Sequence, residues 1–247
     1  MQAIIMAAGK GNRLGEFKKN APKSFLEING IKLIEYNIAL LHAYGINEII
    51  IVTGYQNWKF ENLVQGIDGI QCVYNPFYEK TNVLGSFYMG QDYLTEDTVY
   101  IHADTLCTPG IFKDMLDSDG DMVLPVDFKL CDEEAMKVRT AMGKVVEISK
   151  NIPCDKGEGE FIGFTKISRR ILTDLKQAVK KLMELQRFGA YFEEAIQELI
   201  DLHKYEIKVI ETNNRFWGEI DFKEDYERAD AEISNELVLL AEKEFGR

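Results

Sequence analysis

Strand-length apolar runs separated by helix-length amphipathic stretches organise the first half of the chain. Residues 3–6, Ala-Ile-Ile-Met, are continuously apolar and predict a buried strand at the start. In residues 32–44 the apolar positions Leu33, Ile34, Ile38 and Leu41 follow helical spacing, and Gly45 is placed to end the helix. Further strands are predicted at 48–52, 70–74 and 98–103, with helices at 58–65 and 84–93 between them. Strands that are apolar throughout, alternating with helices, imply a parallel sheet covered on both faces. The predicted fold class is α/β: a Rossmann-like, mixed and mainly parallel sheet with helices on both faces.

The second half is less regular. Residues 121–125 continue the sheet, and 136–140 with 144–149 form a hairpin turned at Met142-Gly143. A strand is predicted at 159–164, helices at 168–186 and 190–202, and last strands at 207–210 and 215–220. A charged helix closes the chain. The polar run 151–159 is the best candidate for a mobile loop. With 247 residues and no repeat or low-complexity linker, one domain spanning 1–247 is expected. Its nucleotide-binding part would be about 1–125 and its acceptor part about 126–230.

Composition narrows the function. A formal charge of −12 disfavours nucleic acid and anionic membranes as partners, and makes any phosphate site a local cationic island. The longest apolar runs, such as Ile49-Ile-Ile-Val52, are far too short to cross a bilayer. Cys72, Cys107, Cys131 and Cys154 are scattered without a C-x-x-C pair, which disfavours zinc. With a strand rather than a basic leader at the start, a reduced, cytoplasmic protein is expected.

The first strand empties into a loop of small residues, Ala7, Ala8, Gly9 and Gly11, that lets backbone N–H groups approach an anion. Arg13 and Lys23 can add fixed positive charge for a triphosphate. The glycines at 9, 11 and 15 miss the G-x-G-x-x-G spacing of a dinucleotide fold, and no Gly-Lys-Ser/Thr ends the loop as a P-loop requires. Asp104 and Asp221 each end a predicted strand, the place from which a carboxylate reaches a ligand crevice and can hold Mg²⁺ between phosphates. Gly54 ends another. A turn residue is the plainer reading of Asp104, and a helix N-cap that of Asp221.

The run G-K-G-N-R-L with a following A-P-K resembles the signature of the nucleotidyltransferases that activate sugar phosphates and small alcohol phosphates. Y-E-K-T-N-V-L-G-S-F, H-A-D-T, E-A-M-K-V, G-E-F-I-G-F, Y-F-E-E-A-I and W-G-E-I-D-F-K-E-D extend the resemblance over most of the chain. They point to the branch holding phosphocholine, 2-aminoethylphosphonate and inositol-phosphate cytidylyltransferases. The resemblance implies a nucleotide-diphospho-sugar transferase fold, and Mg²⁺-dependent transfer of CMP from CTP to a small non-sugar phosphate or phosphonate. By resemblance Gly9, Gly11 and Arg13 hold the nucleotide phosphates, Lys23 stabilises charge at the reacting phosphate, and Asp104 and Asp221 hold the metal. Asn82 and Ser86 are the expected contacts to base and ribose.

For the acceptor, Lys137 and Lys150 are candidates to reach its phosphate. Asp127 and Glu160 are candidates to face a polar or cationic head, with Tyr191 and Trp217 as an aromatic wall. Plain core packing is the alternative for each ring. The segment after Arg13-Leu14 departs from the family, with Gly15-Glu-Phe where many relatives carry proline and basic residues. No unambiguous choline cage can be read. The rivals are a sugar-1-phosphate uridylyl- or thymidylyltransferase and a catalytically silent nucleotide-binding homologue. A monomer or homodimer is expected.

Overall fold

The computed structural model describes residues 1–11, 21–220 and 223–246. In chain order, β1 (Gln2–Ala7) is followed by a two-stranded hairpin, β2 (Glu27–Ile28) and β3 (Ile31–Lys32), and by α1 (Leu33–Ala43). Next come β4 (Glu48–Thr53), α2 (Asn57–Val64), β5 (Ile70–Tyr74), α3 (Val83–Gly90), β6 (Thr98–His102), β7 (Thr105–Cys107), α4 (Pro109–Asp117) and β8 (Met122–Asp127). The second half holds β9 (Lys137–Ala141), β10 (Lys144–Ser149), β11 (Gly159–Phe161), β12 (Phe164–Ile167), α5 (Leu172–Glu184) and α6 (Phe192–Asp201). It ends with β13 (Ile207–Glu211), β14 (Trp217–Glu219), α7 (Lys223–Glu232) and α8 (Asn235–Glu244).

Ten strands form one sheet in the order β11-β9-β10-β13-β8-β12-β6-β1-β4-β5. The four strands from β6 to β5 are parallel, as their continuous apolar character implies. Beyond β6 the pairings turn antiparallel, save that β8 with β13 is parallel, among the described residues. Alternate residues of β1 feed two cores: Ala3, Ile5 and Ala7 face one with α1, α4 and α8, while Ile4 and Met6 face the other with α3, α5 and α6. β1 lies between β4 and β6; the chain passes from β1 to β4 through α1 on one face and from β5 back to β6 through α3 on the other, so the connections diverge at β1. That opens a crevice beyond its carboxyl end.

Three departures from the sequence reading shape this crevice. Residues 159–164 are two strands: the chain reverses at Ile162-Gly163, and β12 inserts between β6 and β8. A side chain at Gly163 would come within 2.9 Å of His102 Nδ1. Residues 215–220 leave the main sheet, and the short β14 pairs antiparallel with β7, a strand hidden directly after Asp104. Finally, the closing charged segment is two helices, divided at Ser234, whose Oγ caps α8 by accepting from Leu237 N–H. The polar run 151–158 is folded back against β9, with Glu158 N–H donating to Val138 O at 2.9 Å. Among the described residues no helix is long and apolar enough to cross a membrane.

Candidate active site

The loop after β1 carries its small residues into a cavity of about 380 Å³ at the carboxyl end of the strand. Ala7 and Ala8 are buried, whereas Gly9 has open space where a side chain would point. Gly11 has φ +63° and lies over the Lys23 side chain, where an added Cβ would come within 2.7 Å of Lys23 Cβ. Both the backbone angle and the close approach demand glycine. Gly54 has a different task from the one expected of it. It is the spot where the end of β4 passes Ala8 and Tyr78, and a Cβ there would lie 2.6 Å from Ala8 O and from Tyr78 Cβ. Tyr55 N–H also donates to Ala8 O at 3.1 Å. Gly54 thus supports the loop from behind instead of lining the cavity.

This gives an expected result. Gly54→Ala should destabilise the fold by about 1–3 kcal/mol through overpacking and raise the KM for nucleotide by displacing Ala8. Thermal melts and nucleotide titration of the same variant check both effects.

Lys23 begins a single 3₁₀ turn, Lys23–Phe25, and is only 7% exposed. Its Nζ donates to Asp104 Oδ2 at 2.6 Å and reaches Glu219 Oε1 at 3.5 Å. The two carboxylates are brought together by the β7–β14 pair, which sets Glu219 opposite Thr105, next to Asp104. Ile220 N–H donates to Asp104 O at 3.0 Å and fixes the same register. Burial acts to raise the Asp104 carboxyl, but the Lys23 ammonium, aided by His102, outweighs it and holds Asp104 below the usual aspartate range. Glu219 was not singled out from the sequence. Its signal was the W-G-E-I-D run, in which it sits two residues before Asp221.

Asp104 and Glu219 therefore present two hard oxygen donors to one cation, here the Lys23 ammonium, and such a donor set suits Mg²⁺. Among the described residues no group of three or more His, Cys, Asp or Glu side chains is placed to hold a metal ion. Asp221, the other expected ligand, and Arg13 lie outside the described residues.

A second cavity, of about 250 Å³, adjoins the first through Gly9, Asp104 and Glu219. Asn82 and Ser86 line it, together with His102. Asn82 also caps α3, its Oδ1 accepting from Val83 N–H at 2.8 Å while Nδ2 donates to Gly189 O at 3.2 Å. Ser86 Oγ accepts from Asn75 Nδ2 at 3.1 Å. Both residues border the cavity while holding its wall.

The acceptor candidates divide. Lys150 and Tyr191 line the first cavity, with Lys150 Nζ 5.0 Å from the centre of the Tyr191 ring. Both also line a larger, open cavity of about 810 Å³ bordered mainly by β10 and α6. Lys137 does not reach either. It is 1% exposed, and its Nζ donates to the carbonyls of Asp132 at 3.0 Å and Ala135 at 3.2 Å, tying down the loop before β9. An ammonium engaged in this way is structural, which corrects its expected role. Asp127, Glu160 and Trp217 form a separate cluster around Lys129, which is 3.2 Å from Asp127 Oδ2, 2.8 Å from Glu160 Oε2 and 4.8 Å from the Trp217 ring centre. Trp217 Nε1–H donates to Asp127 Oδ2 at 3.0 Å. A lysine of the chain itself occupies the place expected for a ligand's cationic head.

A glycine loop, a buried lysine and paired carboxylates at the carboxyl end of a central strand agree with what the chain resembles. Residues 3–184 match the MobA-like NTP transferase domain. The chain belongs to that family. It is a nucleotidyltransferase. A CTP:phosphoglutamine cytidylyltransferase of Campylobacter jejuni is 28% identical over 92% of this chain and 98% of its own length. A choline-phosphate cytidylyltransferase of Streptococcus pneumoniae is 39% identical, over 48% of this chain and 49% of its own. Among solved structures, the CTP:phosphocholine cytidylyltransferase of Streptococcus pneumoniae superposes with a TM-score of 0.78 at 26% identity, covering 94% of this chain and 99% of that one.

Proposed function

We propose that this enzyme transfers CMP from CTP to a small phosphorylated, non-sugar acceptor with release of pyrophosphate. The observation that carries the reading is the buried Lys23 ammonium, held by Asp104 beneath the Gly9–Gly11 loop. Transfer joins two polyanions, so the protein's main task is to position them and neutralise their charge. The loop's backbone N–H groups receive the triphosphate, and Lys23 stands fixed where negative charge gathers at the α-phosphate. An acceptor phosphate is already anionic near neutral pH, so its oxygen attacks phosphorus in line without a strong base. Lys150, on the border between the two larger cavities, suits the acceptor phosphate. Asp104 and Glu219, with Asp221, would hold Mg²⁺, which when bound supplies further neutralisation of phosphate charge.

The relatives support CTP as donor. The phosphoglutamine enzyme is similar in sequence along nearly its whole length, and the phosphocholine enzyme superposes along nearly its whole length, so both kinds of acceptor belong on the panel. The test is pyrophosphate release with Mg²⁺, each of CTP, UTP, dTTP, ATP and GTP, and a panel of acceptors. Turnover with CTP and a non-sugar phosphate is expected. Turnover only with a sugar-1-phosphate and UTP or dTTP would overturn the reading, as would nucleotide binding with no release across the panel.

A further inference from the structure

Among the described residues β7 has one strand for a neighbour, β14. Asp104 O accepts from Ile220 N–H at 3.0 Å and Thr108 N–H donates to Phe216 O at 3.1 Å, so these alternate positions face β14. The carbonyls between them, of Thr105 and Cys107, fall on the opposite edge. Both residues are buried, and a buried carbonyl needs a donor. Two adjacent side chains of α1 supply it. Asn37 Nδ2 donates to Thr105 O at 3.2 Å, and the Tyr36 hydroxyl donates to Cys107 O at 3.1 Å. Tyr44, just past the end of the same helix, donates to Pro109 O at 2.9 Å, two residues further along. Side chains from α1 thus take the place of a missing strand.

Core packing alone does not account for Asn37. It is fully buried, its neighbours Ile34, Ile38 and Leu41 belong to the apolar core, and its Oδ1 has no hydrogen-bond partner among the described residues. A buried amide left half unsatisfied is costly, and a leucine of the same branching would avoid that cost. What the amide contributes is its bond to Thr105 O. Thr105 follows Asp104 directly and is set opposite Glu219. A shift of β7 would therefore move both carboxylates that meet the Lys23 ammonium.

We infer that Tyr36 and Asn37 are positioning residues for the reaction, holding β7 in the place that sets Asp104 and Glu219 around Lys23. Groups that orient such carboxylates from behind affect metal affinity or activity without touching substrate. The kinetic part of the test rests on the cytidylyltransferase reading, and the melting part does not.

The test compares Tyr36→Phe and Asn37→Leu with Ile38→Val, which removes one methyl group from the same buried stretch of α1. Pyrophosphate release is followed with CTP, Mg²⁺ and phosphoglutamine or phosphocholine, whichever the wild type uses. In Tyr36→Phe and Asn37→Leu, kcat should fall by about tenfold, with more Mg²⁺ needed for half-maximal rate. Ile38→Val should stay near wild type in both. Melting curves in metal-free buffer give a readout without turnover. Asp104→Asn should lower the melting temperature less when Tyr36→Phe or Asn37→Leu is already present, because its pairing with Lys23 is then already loosened. Combined with Ile38→Val its effect should simply add. Additive melting losses with Tyr36→Phe and Asn37→Leu, or kinetics matching Ile38→Val, would overturn the assignment and leave the cytidylyltransferase reading standing. No turnover by wild type with any acceptor would overturn that reading, and the melting cycle would still decide the roles of Tyr36 and Asn37.

Discussion

Lys23→Ala is expected to cut kcat/KM by about a hundred- to thousandfold, the usual cost of removing a preorganised charge from a site where transition-state charge develops. The expectation follows from how little freedom the side chain has. Gly11 packs on its stem, Asp104 takes its ammonium at 2.6 Å, and Glu219 stands 3.5 Å away. In a chain of net charge −12 a triphosphate meets general repulsion, so a lost cation at the reacting phosphate is not replaced by its surroundings. Removal also takes from Asp104 the ammonium that pairs with it, at a cost to the fold on the order of 3 kcal/mol. Melting curves separate that loss from the kinetic one, and Lys23→Met, which keeps the apolar stem, should retain more stability with no more activity. A folded Lys23→Ala enzyme with near-normal pyrophosphate release would remove Lys23 from the mechanism.

Much of this was legible in the sequence because it is local. The apolar run of β1, the small residues after it and the aspartate ending the segment after β6 each show in a window of a few residues, and all three meet at one end of the sheet. What stayed hidden depends on register between distant segments. β7 has three residues, too few to display a period, and without it nothing sets Glu219 opposite Thr105 and hence beside Lys23. Lys137 reads as one more charge in a solvated turn, yet the loop before it curls so that backbone carbonyls surround its ammonium. Lys129 follows a strand without any pattern, and its place over Trp217 arises from bringing the ends of β8, β11 and β14 together. The break at Gly163 was signalled, since glycine inside an apolar strand pattern marks a bend or a close approach.

Asp104→Asn is the companion experiment, and it separates the residue's two tasks. Asparagine keeps the size and an oxygen but loses the charge, so Lys23 loses its counter-ion and one of the proposed Mg²⁺ ligands becomes neutral. Activity should fall on the order of a hundredfold or more, with a higher Mg²⁺ concentration needed for half-maximal rate. Because Lys23 and Asp104 act on each other, the double variant should lose much less than the product of the two single losses. Stability provides a readout independent of chemistry. Asp104 has a lower pKa in the fold than in the unfolded chain, so its pairing with Lys23 stabilises the protein above the ordinary carboxylate range. That stability is lost as the pH falls through the folded value. In metal-free buffer the melting-temperature advantage of wild type over Asp104→Asn should therefore be widest near neutrality and close on acidification. A gap that does not change with pH would show that the charge of Asp104 contributes nothing to the fold. If turnover and the Mg²⁺ requirement were also unchanged, the carboxylate would be a turn residue and the metal would have to be held elsewhere.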